Sequence, residues 1–208
     1  MKKTIITIAR QYGSGGREIG ERVAALLGIK NYDKEFVTMA AEKEGALTVD
    51  ALHQVDERAT NSLLYTLAMG SNVFPTAHVS PALPLNDRLF ALQSSIIRSL
   101  AEGEESCVMI GRCADYVLRD DPNRLSVFIY ADLDVRRRRV AERHNISESE
   151  AISVINKTDR RRASYYNFYT GGKWGKYDNY HVAINSAVLG IEGTAQLIAD
   201  LVRRREQE

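Results

Sequence analysis

Thr4-Ile5-Ile6-Thr7-Ile8-Ala9-Arg10-Gln11-Tyr12-Gly13-Ser14-Gly15-Gly16-Arg17-Glu18-Ile19-Gly20 decides the fold. Its first six residues are β-branched and nearly all apolar, with no polar alternation, the pattern of a strand covered on both faces. A glycine cluster ends that run. From Arg17 to Leu27 the apolar residues Ile19, Val23, Ala24 and Leu27 recur at helical spacing, and Gly28 closes the helix. Working outward, the alternation repeats. Ile29 to Tyr32 reads as a short strand and Lys34 to about Glu44 as a helix. Cys107 to Ile110, Leu125 to Tyr130 and His181 to Asn185 read as further strands, the last followed by an amphipathic helix from Glu192 to Arg205. Buried strands alternating with helices imply βαβ units, a parallel sheet and right-handed crossovers. The expected fold class is α/β.

Two stretches interrupt this alternation. Thr48 to Met69 and Asp87 to Leu100 carry helical patterns, and residues 70–84 between them hold three of the chain's four prolines. Proline at that density rules out a continuous helix and favours an exposed loop. We read 45–103 as a helical insertion within a single domain spanning 1–208, and 132–163 as a nearly all-helical, arginine-rich region. A length of 208 residues with 44% hydrophobic and 26% charged residues suits one domain with a sizeable core. Lys+Arg 28 against Asp+Glu 27 leaves a net charge of +1, so no global field points to a nucleic-acid or membrane partner. No apolar run approaches the ~20 residues of a membrane span, and Thr4 to Ala9 is too short for a signal peptide before Arg10 interrupts it. Cys107 and Cys113 form no disulfide framework, and the four histidines share no ligand spacing. A reduced, cytoplasmic protein is expected, with its oligomeric state and any metal ligands left open.

The position of the glycine loop gives it chemical meaning. Between a strand and a helix, glycines let successive backbone N–H groups turn inward, and the helix N-terminus adds partial positive charge. Gly13, Ser14, Gly15, Gly16, Arg17 and Glu18 are therefore candidates for holding nucleotide phosphates. The strict G-x-x-x-x-G-K-[ST] pattern is absent: aligned on Gly16-Arg17, it places Gln11 at the first glycine and Glu18 at the Ser/Thr. Arg17 keeps the charge of the lysine as a planar fork, while the hydroxyl that ordinarily ligates magnesium is lost. A dinucleotide G-x-G-x-x-G does not fit either, because Glu18 falls where its third glycine would be.

Together with four later segments, this loop resembles the cytidylate-kinase-like family, relatives of the bacterial CMP kinases within the P-loop nucleoside monophosphate kinases. The segments are Tyr32-Asp33-Lys34-Glu35, Ile110-Gly111-Arg112-Cys113-Ala114-Asp115-Tyr116, Val127-Phe128-Ile129-Tyr130-Ala131 and Asp159-Arg160-Arg161-Arg162-Ala163-Ser164-Tyr165-Tyr166. The resemblance implies a three-layer P-loop fold whose five-stranded parallel sheet runs 2-3-1-4-5. It also implies ATP as donor, Mg2+, and a small nucleotide acceptor, CMP or dCMP. Asp33, at a strand's carboxyl end, would face the acceptor, although an acid there also suits a helix N-cap. Arg112 matches the arginine of the family's Gly-Arg-Asp and would grip the acceptor phosphate. Cys113 replaces that aspartate, and Asp115 is the candidate to take over.

Arg136, Arg139 and Arg143 share one helix face, and the family's lid would bring them onto the donor phosphates. Arg17, Arg136 and Arg139 are thus the expected catalytic cations, with Arg143 on the donor. Arg137 and Arg138 read as surface charge. Asp159 and Arg162, at i and i+3, would present one acceptor and one donor fork to the acceptor nucleotide, or form a simple surface ion pair. The aromatic run from Tyr165 to Tyr180 departs from CMP kinases, and packing onto the core is its simpler reading. Two rivals remain open: a non-catalytic nucleotide-binding switch, and a kinase of a different small acceptor.

Overall fold

The computed structural model describes residues 3–44, 84–205 and 207. Strands β1 (Ile5–Arg10), β2 (Lys30–Tyr32), β3 (Cys107–Ile110), β4 (Arg124–Tyr130) and β5 (Val182–Asn185) form one sheet in the order β2-β3-β1-β4-β5. Every pairing is parallel. The order and the parallel sense match the expectation. The helices are α1 (Gly16–Leu27), α2 (Glu35–Glu44), α3 (Leu85–Glu102), α4 (Ala114–Val117), α5 (Leu133–His144), α6 (Glu148–Thr170) and α7 (Ser186–Arg205). Of the helical insertion, Thr48 to Met69 and most of the proline-rich loop lie outside the described residues.

The central strands β1, β3 and β4 are largely apolar because both of their faces are covered, while the edge strands β2 and β5 are more exposed. On β1, Ile5 points to the layer of α2, α3 and α4, where it meets Phe36, Val37, Leu89 and Met109. Its neighbours Ile6 and Ile8 point to the other layer and pack with Ile19 and Val23 of α1 and Ile198 and Val202 of α7. Each such fully buried aliphatic side chain contributes roughly 1.5–3 kcal/mol relative to exposure. The resulting three-layer sandwich fixes the carboxyl ends of β1, β3 and β4 along one edge.

Two departures from the sequence reading have local causes. The arginine-rich region is two helices, because Asn145 adopts a left-handed conformation (φ 50) that ends α5. A capping box then starts α6: the Ser147 hydroxyl receives the Glu150 amide, and the Glu150 carboxylate receives the Ser147 amide. Further on, α7 begins at Ser186, six residues ahead of the expected Glu192, and bends at Gly190 (φ 67). The tyrosines of α6 pack inward as the simpler reading had it. Tyr165, Tyr166 and Tyr169 are buried against Phe90 and donate to Gln93, Asp115 and Asp87. Among the described residues, no helix is long and apolar enough to cross a membrane.

Candidate active site

The loop after β1 leaves the sheet with Gln11 still bonded to β4, its amide donating to Ile129 at 2.9 Å. Gly13 (φ 77) and Gly15 (φ 78) are both left-handed, which gives the loop its coil. At Gly13 space is also short: a Cβ would lie 2.9 Å from Val140 and 3.0 Å from the Arg136 carbonyl. Ser14 is fully buried, its hydroxyl donating to the Gln11 carbonyl at 2.8 Å and receiving the Gly16 amide at 3.3 Å. The first ladder bond of α1 runs from the Ile19 amide to the Gly15 carbonyl, so the amides of Arg17 and Glu18 belong to the first turn, where a helix offers its donors outward.

This loop forms one wall of a cleft of ≈ 400 Å³. Asp33 and Lys34 reach it from the end of β2, Arg112 from the end of β3, Arg143 and His144 from the end of α5, and Arg161 and Arg162 from α6. Asp33 is 6% exposed, with Arg17 Nε at 3.1 Å and Arg10 Nη2 at 3.9 Å. It does not cap α2; instead the Glu35 carboxylate accepts the Asp33 amide at 2.8 Å. Arg112 is 6% exposed and left-handed (φ 55), between Gly111 (φ 75) and Cys113 (φ 54). Two successive non-glycine residues in that region store roughly 1–3 kcal/mol each, strain of a kind that gathers at functional sites. Arg162 donates to the Arg10 carbonyl at 3.0 Å, with its guanidinium 5.7 Å above the Tyr12 ring.

Other expected site residues are engaged by partners within the protein. Asp159 lies outside the cleft lining: its Oδ1 accepts the Tyr12 amide at 2.8 Å and its Oδ2 the Arg136 guanidinium at 2.6 Å. Its carboxylate is thereby engaged by the loop, whose Tyr12 ring also lies under the Arg162 guanidinium. Arg136 is 8% exposed and also donates to the Tyr12 carbonyl at 3.3 Å. Arg139 donates to the Ser14 carbonyl at 3.1 Å and to Ser186 at 3.3 Å. Neither arginine lines this cleft, but Arg139 lines a second one of ≈ 390 Å³ that shares Gly13, Gly15 and Glu18 with it. Arg17 turns to Glu21 and Asp33, and Glu18 pairs with Arg143. Asp115 is 3% exposed in a niche behind Arg112 and Arg162, where Tyr166 donates to it at 2.8 Å. Burial pushes its carboxyl up to about 6, with the Tyr166 hydroxyl acting in the opposite direction.

Comparison with known proteins assigns the chain. The model of the cytidylate kinase-like family matches residues 5–188. The chain belongs to the cytidylate kinase-like family. It is 35% identical to a cytidylate kinase of Sulfolobus acidocaldarius over 81 residues, covering 39% of this chain and 44% of that protein. A cytidylate kinase of Archaeoglobus fulgidus is 26% identical over 206 residues, covering 95% and 93%. Among solved structures, an uncharacterized protein from Eubacterium ventriosum is similar with a TM-score of 0.71 at 27% identity, covering 97% of this chain and 99% of that one. A shikimate kinase from Bacteroides thetaiotaomicron shares the fold at TM-score 0.55 and 14% identity, over 96% and 98% of the two chains.

The cleft of this family member also contains Arg10, Tyr12, Lys34, His144 and Arg161, which the motif reading did not single out as site residues. Arg10 carried a usable signal, since it stands at the carboxyl end of a strand, the end at which Asp33 and Arg112 also lie. Tyr12 and His144 meet across the cleft mouth, hydroxyl to Nε2 at 2.8 Å, a pairing between residues 132 positions apart that no local pattern encodes. Among the described residues, no three His, Cys, Asp or Glu side chains gather where they could hold a metal ion. The two carboxylates on the cleft, Glu18 and Asp33, are paired with arginines.

Proposed function

We propose that this protein is an ATP-dependent phosphotransferase acting on a nucleoside monophosphate, with CMP or dCMP as the acceptor. One observation carries the reading: the glycine loop and the acceptor candidates Asp33, Arg112 and Arg162 converge on the same ≈ 400 Å³ cleft. Family membership and the names of the two curated relatives favour the cytidine acceptor. The donor phosphates would lie on the amides of the segment Gly13 to Glu18. Arg143 would exchange Glu18 for phosphate oxygen, a low-cost exchange, because exposed ion pairs contribute only about 0–1 kcal/mol.

Arg112 and Arg162 would hold the acceptor's phosphate, with Asp33 at the acceptor side and Arg17 between the two substrates. An oxygen of the acceptor phosphate attacks the γ-phosphorus in line. The bond from that phosphorus to the β–γ bridging oxygen breaks, ADP leaves with the electron pair, and the acceptor becomes a diphosphate. Because the acceptor phosphate is already ionised, catalysis reduces to positioning and charge neutralisation without a general base. No step is assigned to a protein-held metal. We place the protein in the cytoplasm as a single domain, in keeping with two buried free cysteines.

Turnover of a panel of nucleoside monophosphates with ATP, followed by ADP release, tests this reading. Phosphorylation of CMP and dCMP ahead of the purine monophosphates is the expected result, and turnover of another acceptor alone would move the assignment. A second reading, nucleotide binding without transfer, is favoured by the pairing of Arg17 and Glu18 with protein partners. ATP binding with no turnover on any acceptor, and turnover gained by the double change Arg17→Lys and Glu18→Ser, would establish that second reading.

A further inference from the structure

Two of the three helix α5 arginines expected to reach the donor phosphates, Arg136 and Arg139, instead touch the backbone of the loop. Arg136 donates to the carbonyl of Tyr12 and Arg139 to the carbonyl of Ser14, which also accepts the Ser186 hydroxyl at 2.5 Å. Every described peptide bond is trans. In a planar trans peptide the C=O and the following N–H point in opposite directions. Holding the Tyr12 carbonyl against α5 therefore turns the Gly13 amide to the opposite side, and holding the Ser14 carbonyl does the same for Gly15. The left-handed φ of both glycines permits this arrangement. A carbonyl that accepts from a guanidinium also polarises its own peptide, which makes the paired N–H a stronger donor.

We infer that Arg136, Arg139 and Asp159 are positioning residues that aim the Gly13 and Gly15 amides at the donor phosphates. Asp159 completes the device by joining Arg136 to the Tyr12 amide, so the Tyr12 residue is gripped at both its N–H and its C=O. These groups act on the cradle and make no contact with the transferring phosphoryl group. The inference rests on the donor site proposed above and reassigns three residues within it.

Calorimetry with the imido analogue of ATP and with ADP tests the inference on the intact chain. Wild type binding the analogue upholds the donor site; wild type binding neither nucleotide would remove that site and this inference with it. Given that binding, Arg139→Gln and Arg136→Gln are each expected to weaken the analogue and ADP by the same factor, about tenfold or more. Both nucleotides must suffer alike, because the loop amides serve phosphates that both carry. Arg138→Gln removes an equal charge from the same helix at an exposed site bonded only to its own helix, and should stay within about twofold. Arg139→Lys keeps a charged donor and should recover most of the lost affinity, a rescue that unspecific loosening would not give. Loss confined to the triphosphate would make these arginines direct γ-phosphate ligands and overturn the inference. So would equal losses in Arg138→Gln and Arg139→Gln, or undiminished affinity in Arg139→Gln. Arg139 is the less buried of the pair, so if Arg136→Gln does not fold, the Arg139 variants decide alone.

Discussion

Asp115 sets a residue's function against its solvation. Its carboxyl is buried and pushed up from 3.8 to about 6, so the folded protein keeps this proton over a range where the unfolded chain has released it. Below the unfolded value the group costs nothing. Between the two values stability falls as pH rises, and above about pH 6 the full cost is in place, on the order of 2–3 kcal/mol. Asp115→Asn keeps an acceptor for Tyr166 and removes the ionisation. Its stability advantage over wild type should grow between about pH 4 and 6 and then level off, as read by denaturant midpoints across that range. An advantage that does not change with pH would mean Asp115 ionises as freely folded as unfolded. The residue scale is also where sequence reading reached its limit. Asp33 was legible because it follows a strand's carboxyl end, where α/β sheets bind ligands, and Arg112 because it follows a buried strand, where a charge needs a reason. The i, i+3 spacing of Asp159 and Arg162 correctly put both on one helix but could not reveal Tyr12, 147 positions away, as the residue whose amide Asp159 accepts.

At the scale of elements, the strands and α1 were legible because their side-chain periods are local, and Cys107 to Ile110 was bounded to the residue. The break inside the arginine-rich region was written as Asn145 followed by Ser147-x-x-Glu150, but a run of good helix formers on either side masks a three-residue interruption. That capping box should be measurable. Ser147→Ala removes the hydroxyl serving the Glu150 amide and should cost about 1 kcal/mol in thermal or denaturant unfolding. The other end of α6 is held by buried polar contacts. Tyr169→Phe deletes the donor at 2.7 Å from the fully buried Asp87 and should cost about 1–3 kcal/mol. Tyr177→Phe, at a ring 77% exposed, should leave the unfolding midpoint unchanged. Equal effects of the two tyrosine changes would mean the Asp87 contact adds nothing to joining α3 and α6.

Across the whole molecule the charges are unevenly shared. Seven Lys and Arg side chains line the main cleft against two carboxylates, in a chain whose formal net charge is only +1, so everything outside the cleft is net acidic. A concave site of one sign in a surface of the other focuses field lines and raises the local concentration of anions. Without ligand these cations repel one another, and the cleft carboxylates Glu18 and Asp33 offset only part of that. A bound triphosphate and a phosphate monoester together supply more negative charge than the cleft has in surplus, so binding relieves the repulsion. The attraction is reduced by mobile ions once their screening length, about 10 Å at 0.1 M salt, is comparable with the width of the site. The apparent KM for both nucleotides should therefore rise severalfold between about 50 and 500 mM KCl, while kcat, set after the substrates have displaced the mobile ions, changes far less. The melting temperature without ligand should hold or rise over the same range, since salt eases the repulsion among the cleft arginines. A KM indifferent to salt would show that the cleft's cations are neutralised within the protein, and would leave the convergence of Arg10, Arg112 and Arg162 without a role in binding anions.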